Sequence, residues 1–189
     1  MLKKENAAPV VYSLWDGEDR PFYKENNLQE VEEVCWGSLC VFNVVEPTLT
    51  VYKAKRKKPG IGVVILPGGG YTAEAIQPEG HAVAKVLADQ GITAAVLKYR
   101  LPNPQTSDRP HLVPLADTRR AIKLLRQLSE KVGIHPKVGV IGFSAGSHLA
   151  TLASLWKSSQ AEENPDFSAL MYGTTNLSDE NLQWLEQSL

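Results

Sequence analysis

The sequence predicts an α/β fold in which a mostly parallel β-sheet is covered by helices on both faces. Short apolar runs rich in β-branched residues recur along the chain, as expected for strands buried on both faces of a parallel sheet. These runs alternate with segments whose apolar residues are spaced to form one face of a helix. Such alternation is typical of parallel strands joined by crossover helices.

The composition argues against several classes of function. A chain of 189 residues with 43% hydrophobic and 22% charged residues is typical of a soluble globular protein. A net charge of -1 gives no electrostatic basis for binding nucleic acid or an anionic membrane. No apolar run is long enough to span a bilayer, and no apolar signal segment follows the basic residues near the N-terminus. We expect a cytoplasmic protein as the sequence stands, or a secreted or periplasmic one if a leader has been removed.

Cys35 and Cys40 are the only cysteines in the sequence. Two cysteines by themselves make neither a metal site nor a disulfide framework. If both lie on one strand, their odd spacing places them on opposite faces. We therefore expect two buried thiols and no metal.

The first third of the chain contains weak signals. Residues 1 to about 30 are polar and carry turn signals, so we expect them to be irregular. Strands are predicted at residues 41–45 and 49–52, separated by Pro47. The basic run at residues 55–58 precedes a Pro-Gly turn and is interpreted as a solvated hairpin tip, with a binding patch as the alternative.

A triple-glycine segment follows the first strongly predicted strand. Residues 61–66 are continuously apolar and end at Pro67, and Gly68–Gly70 come next. Consecutive glycines free the backbone to turn its N–H groups outward, which suits the binding of an oxyanion. A flexible loop explains the same glycines equally well if the segment is considered alone.

The middle of the chain continues the alternation of helix and strand. Residues 79–90 are predicted to form a helix and residues 92–99 the next buried strand. The proline-rich loop at residues 100–113 could border a pocket, and His111 within it could contact substrate. A long helix is predicted over residues 113–132. We interpret His81 and Asp117, which lie early in the two helices, as structural residues.

The motif with the most chemical content is Gly142-Phe-Ser144-Ala-Gly146, which follows a predicted strand at 138–143 and precedes a helix at 146–156. A serine on a sharp strand-to-helix turn needs glycine neighbours because two backbone segments approach closely there. The N-terminal amides of the helix can then stabilise a developing oxyanion. The alternative is a glycine-rich turn that only packs.

After this motif the sequence predicts one more strand, at residues 167–172. A helix start is predicted at residues 177–182, where Ser178 can act as the N-cap. His148 lies four residues after Ser144 along the preceding helix, and we interpret it as structural.

Taken together, the motifs resemble those of the α/β-hydrolase esterases related to acetyl-xylan and feruloyl esterases. The segments that carry the resemblance are Pro67–Tyr71, Glu79–Lys85, Val96–Pro102, Pro114–Asp117 with Arg120–Ile122, and Gly142–Ala150. The resemblance implies that Ser144 is the nucleophile, between elbow glycines Gly142 and Gly146. It also implies that the amides of Gly69, Gly70 and Ala145 are the oxyanion donors.

Four further positions in these motifs carry no assigned chemistry. Lys98, Arg100 and Asp117 resemble family positions to which we assign no catalytic role. Ser147 stands where the family commonly has glycine, a change that we expect to leave the elbow undisturbed.

The main departure from the family pattern is the missing part of the triad. In this fold the order is serine, then an acid, then a histidine near the C-terminus. No histidine follows His148, Asp166 precedes its strand, and Asp179 is explained by a helix start. We expect a single partial domain that is incomplete at its C-terminal end, with residues 1–40 as an N-terminal arm and first strand region and residues 41–189 as the core.

The resemblance implies a serine carboxylic-ester hydrolase that removes small acyl groups from carbohydrates through an acyl-enzyme, with no cofactor. Two alternatives remain open. One is a non-catalytic remnant whose exposed sheet edge would favour self-association. The other is a serine peptidase or acyltransferase on the same fold, since fold does not fix function.

Overall fold

The computed structural model describes residues 8–55 and 60–173, and their main feature is a six-stranded sheet of order β1-β4-β7-β5-β8-β9. The strands are β1 (Val10–Ser13), β2 (Val31–Cys35), β3 (Ser38–Phe42), β4 (Thr48–Tyr52), β5 (Gly62–Leu66), β6 (Ala73–Glu74), β7 (Thr93–Lys98), β8 (Val138–Phe143) and β9 (Ser168–Met171). The helices are α1 (Ala82–Asp89), α2 (Val113–Gln127), α3 (Ser129–Val132) and α4 (Ala145–Leu155), with a π-helical turn at Ile76–His81 and single 3-10 turns at Pro110–Leu112 and Ala161–Glu163.

The sheet is mostly parallel, as the sequence predicts. Strands β7, β5, β8 and β9 are parallel neighbours, whereas β1 and β4 are antiparallel. Every residue of β5 is buried because β5 lies inside the sheet and α2 and α4 pack against it. Helices α1, α2 and α4 provide the crossovers between the parallel strands, which brings the carboxyl ends of β5 and β8 side by side.

The expectation of two buried thiols is wrong, because Cys35 and Cys40 form a disulfide. The two residues lie on different strands, β2 and β3, which pair as an antiparallel hairpin in a small sheet with β6. Trp36 and Gly37 form the two-residue hairpin loop with φ values of 50° and 78°, as a type I′ turn requires. This turn brings the two Cα atoms to 5.8 Å, within the range that a disulfide spans.

The expectation of an irregular N-terminus is also wrong at one place. Strand β1 pairs with β4 along its whole length, from Val10 opposite Val51 to Ser13 opposite Thr48. It forms the edge of the sheet and is mostly exposed, so it lacks the burial pattern by which a strand is recognised in sequence.

The other predicted elements are present with shifted ends. The predicted strand at residues 41–45 is found as β3, the helix at 79–90 begins with the π-helical turn, and the helix at 113–132 divides at Leu128 into α2 and α3. The predicted helix start at residues 177–182 and most of the basic run at 55–58 lie outside the described residues. None of the helices within residues 8–55 and 60–173 combines the length and apolar composition needed to cross a membrane.

Candidate active site

Ser144 lies on a sharp turn between β8 and α4, with φ 50° and ψ −117°. A positive φ is strained for a residue with a side chain and persists only where the surroundings impose it. Here they do. A Cβ on Gly142 would lie 2.1 Å from the carbonyl oxygen of Gly146, and a Cβ on Gly146 would lie 2.0 Å from the carbonyl oxygen of Leu66. The glycines of the motif are therefore required by the close approach of strand and helix.

The triple-glycine turn packs directly on this elbow. A Cβ on Gly68 would lie 2.6 Å from the carbonyl oxygen of Phe143 and 2.8 Å from the Cβ of Ser144. Gly69 and Gly70 have φ values of 137° and 62°, which side chains disfavour. The glycine turn therefore lies in direct contact with the strand-to-helix turn at Ser144.

The backbone N–H groups of the turn differ in their partners. The N–H of Gly68 donates to Oε2 of Glu79 at 2.6 Å. Among the described residues, the N–H groups of Gly69 and Gly70 take part in no hydrogen bond. The N–H of Ala145 belongs to the first turn of α4, where amides have no partner within the helix.

A cavity of about 440 Å³ lies beside Ser144 and the glycine turn, and this volume is typical of small-molecule sites. Ser144, Gly69 and Gly70 share its wall, and Ala145 is buried next to Ser144 without lining the cavity. The remaining lining residues are Cys35, Trp36, Ser38, Thr72, Ala75, Pro78, Glu79 and Tyr172. The structure therefore brings together the predicted nucleophile and the glycine turn, although 74 residues or more separate them in sequence.

Glu79 and Tyr172 belong to this cavity and were not predicted from sequence. Besides the bond from Gly68, Glu79 accepts a hydrogen bond at Oε1 from the hydroxyl of Tyr172, at 2.8 Å. Partial burial and this bond to the carboxylate raise the pKa of Tyr172 to about 12. No local pattern identifies the two residues, because they lie 93 positions apart.

Tyr71, at the end of the glycine turn, connects the turn to α4. Its hydroxyl lies 2.9 Å from Nδ1 of His148, and the two rings meet edge to face. Burial raises the pKa of Tyr71 and lowers the pKa of His148, so both side chains are neutral near pH 7. His148 thus joins helix α4 to the glycine turn through Tyr71, and its structural role stays a prediction.

Glu74 and Tyr99 support the turn from below. Glu74 is fully buried and accepts at Oε1 from the N–H of Tyr99 at 2.7 Å, while the hydroxyl of Tyr99 donates to the carbonyl of Pro67 at 2.7 Å. Burial raises the pKa of Glu74 well above its usual range, which favours the neutral form of this carboxyl. The beginning of the turn is therefore held by a hydrogen-bonded interior.

The positions without assigned chemistry make structural contacts. Asp117 is fully buried and accepts hydrogen bonds from Nη2 of Arg100 at 2.6 Å, from the N–H of Arg100 at 2.9 Å and from Nε1 of Trp15 at 2.7 Å. Lys98 forms an ion pair with Glu30. None of these side chains lines the cavity at Ser144.

Ser147 leaves the elbow in place but lies in tight surroundings. Its hydroxyl is buried and has no hydrogen-bond partner among the described residues. A Cβ on Gly173 would lie 2.3 Å from its Oγ. Ser144 nevertheless keeps its sharp turn between β8 and α4, with φ 50° and ψ −117°.

The other histidines considered in the sequence lie outside this cavity. His81 ends the π-helical turn, where its Nδ1 is 3.0 Å from the hydroxyl of Tyr52, and burial lowers its pKa. His111 lies in the 3-10 turn before α2 and does not line the cavity with Ser144. Within the described ranges, no cluster of three or more histidine, cysteine, aspartate or glutamate side chains could hold a metal ion.

Comparison with known families gives a match that extends over most of the chain. Residues 49–180 match the family model described as BD-FAE. The chain belongs to the BD-FAE family. This membership agrees with the resemblance found in the motifs, and the matched range includes the glycine turn, the elbow and all the parallel strands.

Two curated relatives of this BD-FAE chain are named as an acetylxylan esterase and a xylanase. An acetylxylan esterase from Xylanibacter ruminicola is 35% identical over 121 residues, which cover 64% of this chain and 24% of that protein. An endo-1,4-beta-xylanase B from Butyrivibrio fibrisolvens is 29% identical over 150 residues, 77% of this chain and 22% of that protein. The chain therefore spans about a quarter of the length of these curated relatives.

Solved structures show the same fold. An acetyl ester-xyloside bifunctional hydrolase from Caldicellulosiruptor lactoaceticus superimposes with a TM-score of 0.74 at 30% identity, over 99% of this BD-FAE chain and 65% of that one. A sugar hydrolase from Lactococcus lactis has a TM-score of 0.59 at 23% identity, over 79% and 55% of the two chains, and supports the fold alone. The α/β-hydrolase-type architecture predicted from sequence is thus confirmed.

Proposed function

We propose that this chain carries the nucleophile and the oxyanion donors of a serine esterase that removes small acyl groups from carbohydrates. One observation carries the proposal: a strained serine shares a cavity wall with a glycine turn whose Gly69 and Gly70 amides are unused within the described residues. The substrate class is supported by the names of the relatives, an acetylxylan esterase and an acetyl ester-xyloside hydrolase.

In the proposed reaction, Oγ of Ser144 attacks the ester carbonyl and a general base takes its proton. The carbonyl oxygen becomes negatively charged and accepts hydrogen bonds from the amides of Gly69, Gly70 and Ala145. Collapse of the tetrahedral intermediate breaks the bond to the sugar oxygen, which receives the proton from the base. Water then attacks the acyl-enzyme while the base takes its proton. Collapse of the second tetrahedral intermediate breaks the bond to Oγ of Ser144, which receives the proton, and the acid is released.

The proposal assigns the base and its orienting acid to no residue of this sequence. No histidine follows His148, and His148 itself is engaged with Tyr71. By comparison with triad deletions in a serine protease, turnover without base and acid is expected to be lower on the order of 10⁶-fold. The test must therefore detect a single acylation event as well as turnover.

The experiment incubates the chain with p-nitrophenyl acetate and maps acetylated peptides by mass spectrometry. We expect a slow acetyl adduct on Ser144, accelerated by added imidazole as an external base, and absent in Ser144→Ala. Ser154→Ala removes a hydroxyl from the same helix, where it bonds only to the carbonyl of Ala150, and should leave the adduct unchanged. Equal labelling of the wild type and Ser144→Ala would contradict the proposal and support the non-catalytic alternative.

The same experiment, with added substrates, separates the esterase from two competing activities. A serine peptidase on this fold would cleave peptides without preferring esters, whereas an acyltransferase would pass the acetyl group to an added alcohol in preference to water. Acylation of Ser144 followed by release of free acetate would support the esterase.

We also propose an oxidising location, secreted or periplasmic. The Cys35–Cys40 disulfide supports it, because disulfides persist outside the reducing cytosol. Protein purified without reductant should show no free thiol in a thiol-labelling assay. Quantitative labelling of both cysteines in protein exported to such a compartment would contradict this proposal.

A further inference from the structure

We propose that Trp36 and Tyr172 form a subsite that binds a pyranose ring of the carbohydrate substrate beside Ser144. This inference rests on the proposed esterase function and deepens it by naming the residues that recognise the sugar. It starts from two exposed aromatic side chains that are unfavourable for folding yet lie at the same cavity.

Trp36 occupies a position that folding alone does not favour. It is the first of the two central residues of a type I′ turn, where asparagine or glycine is preferred because φ is positive. A left-handed conformation has an energetic cost for any residue that bears a side chain. The side chain is also 73% exposed, so burial of the indole returns little of that cost. An exposed, strained tryptophan is better explained by binding than by packing.

Tyr172, which follows Ser144 in sequence and lines the same cavity, repeats both features. Its φ is 40° and its side chain is 66% exposed. The ring lies 5.9 Å from the ring of Phe143, and the hydroxyl is held by Glu79. The tyrosine is therefore oriented, although most of its surface remains accessible.

The hairpin that carries Trp36 is held in place at both ends. The Cys35–Cys40 disulfide joins its two strands next to the turn. Strand β3 also pairs with β6, where Val41 lies opposite Glu74, and β6 directly follows the glycine turn. Trp36 is thus connected through a short, ordered path to the segment that supplies the proposed oxyanion donors. A preorganised side chain loses less entropy when a ligand binds.

The chemistry of the cavity wall fits a sugar. A pyranose ring presents C–H groups on its faces and hydroxyl groups around its rim. Aromatic faces bury the C–H surface, while polar groups satisfy the hydroxyls. Glu79, Thr72 and Ser38 provide such polar groups in the same wall as the two aromatic residues. In ester hydrolysis the carbonyl carbon lies at Ser144, so the sugar oxygen bonded to it lies in the same cavity as Trp36 and Tyr172.

The test measures binding without turnover, in the Ser144→Ala background. Xylotriose is titrated against this chain by isothermal calorimetry, and Trp36→Asn is compared with its parent. Asparagine suits the type I′ turn, so Trp36→Asn should fold with an unchanged or higher melting temperature while its affinity for xylotriose falls at least tenfold. Trp156→Ala is the matched control: Trp156 is 55% exposed but lines a different cavity, and its loss should leave the affinity unchanged.

Tyr172→Ala should also weaken xylotriose binding. Reduction of the Cys35–Cys40 disulfide should weaken xylotriose binding by the parent, and it should cause no further loss of affinity in Trp36→Asn. Absence of xylotriose binding to the parent, or equal affinity in Trp36→Asn, would overturn the proposal. Trp36-dependent binding of ferulic acid without binding of xylotriose would also overturn it, in favour of an aromatic acyl group. The two proposals fail in different ways. If only the esterase proposal is wrong, no acetyl adduct forms on Ser144 but xylotriose still binds.

Discussion

Gly146→Ala tests whether the elbow glycines are required by close backbone approach. Gly146 lies in α4, where alanine is intrinsically favoured over glycine by about 1 kcal/mol. If helix propensity alone acted, the substitution would stabilise the protein. The structure predicts the opposite, because the new Cβ would lie 2.0 Å from the carbonyl oxygen of Leu66 and 2.6 Å from that of Pro67.

The expected magnitude follows from what would have to move. Overpacking a well-packed interior costs roughly 1–3 kcal/mol, and the upper end applies because both clashing atoms belong to the backbone at the end of the buried strand β5. Subtracting the helix preference leaves a net loss of about 2 kcal/mol. For a chain of this size, that loss corresponds to a melting temperature lower by roughly 4–8 °C.

The assay is thermal unfolding followed by far-UV circular dichroism, with Gly133→Ala as the control. Gly133 has φ 72° and open space where a Cβ would lie, so its substitution introduces conformational strain without a clash. We expect a smaller loss there, about 1 kcal/mol. A melting temperature for Gly146→Ala equal to or above that of the wild type would refute the description of the elbow as a close strand–helix contact.

Three further predictions concern the support of the site and the sheet edge. Asp117→Ala leaves the buried guanidinium of Arg100 unpaired and should lower the free energy of unfolding by roughly 3–5 kcal/mol, as measured by urea unfolding. Little change would show that the ion pair is not buried as described. Because burial lowers the pKa of His148, the unfolded state takes up a proton before the folded state does as the pH falls below about 6.5, and the free energy of unfolding decreases with acidification. His148→Gln keeps a hydrogen-bonding group beside Tyr71 and should flatten part of this pH dependence. Melting curves measured from pH 7 to pH 5 test the prediction. We also propose self-association through β9, which with β1 is one of the two edge strands of the six-stranded sheet among the described residues. Leu170→Lys on β9 should then lower the sedimentation coefficient at high concentration, and an identical coefficient would count against this edge.

Part of the site could be predicted because its requirements are local. The Gly142–Gly146 motif and the glycine turn follow buried strands, and both express steric rules that act over a few residues. Strand β5 and helices α1 and α4 were predicted for the same reason, since burial imposes a periodic pattern on neighbouring residues.

Other parts could not be predicted because they depend on contacts distant in sequence. Glu79 accepts hydrogen bonds from the Tyr172 hydroxyl and from the Gly68 amide. The bond from Tyr172 can form only when β9 lies beside β8. The disulfide was missed because the hairpin turn at Trp36 was not recognised, since tryptophan is not a residue that type I′ turns favour.

The sequence by itself determined where the backbone must bend and which short runs must be buried, because glycine sterics and hydrophobic periodicity act locally. Only the tertiary structure decided which amides are left unused, which carboxylate holds the turn, and which aromatic rings border the cavity. Those outcomes depend on how separate elements pack around β5 and β8, and packing is a property of the whole chain.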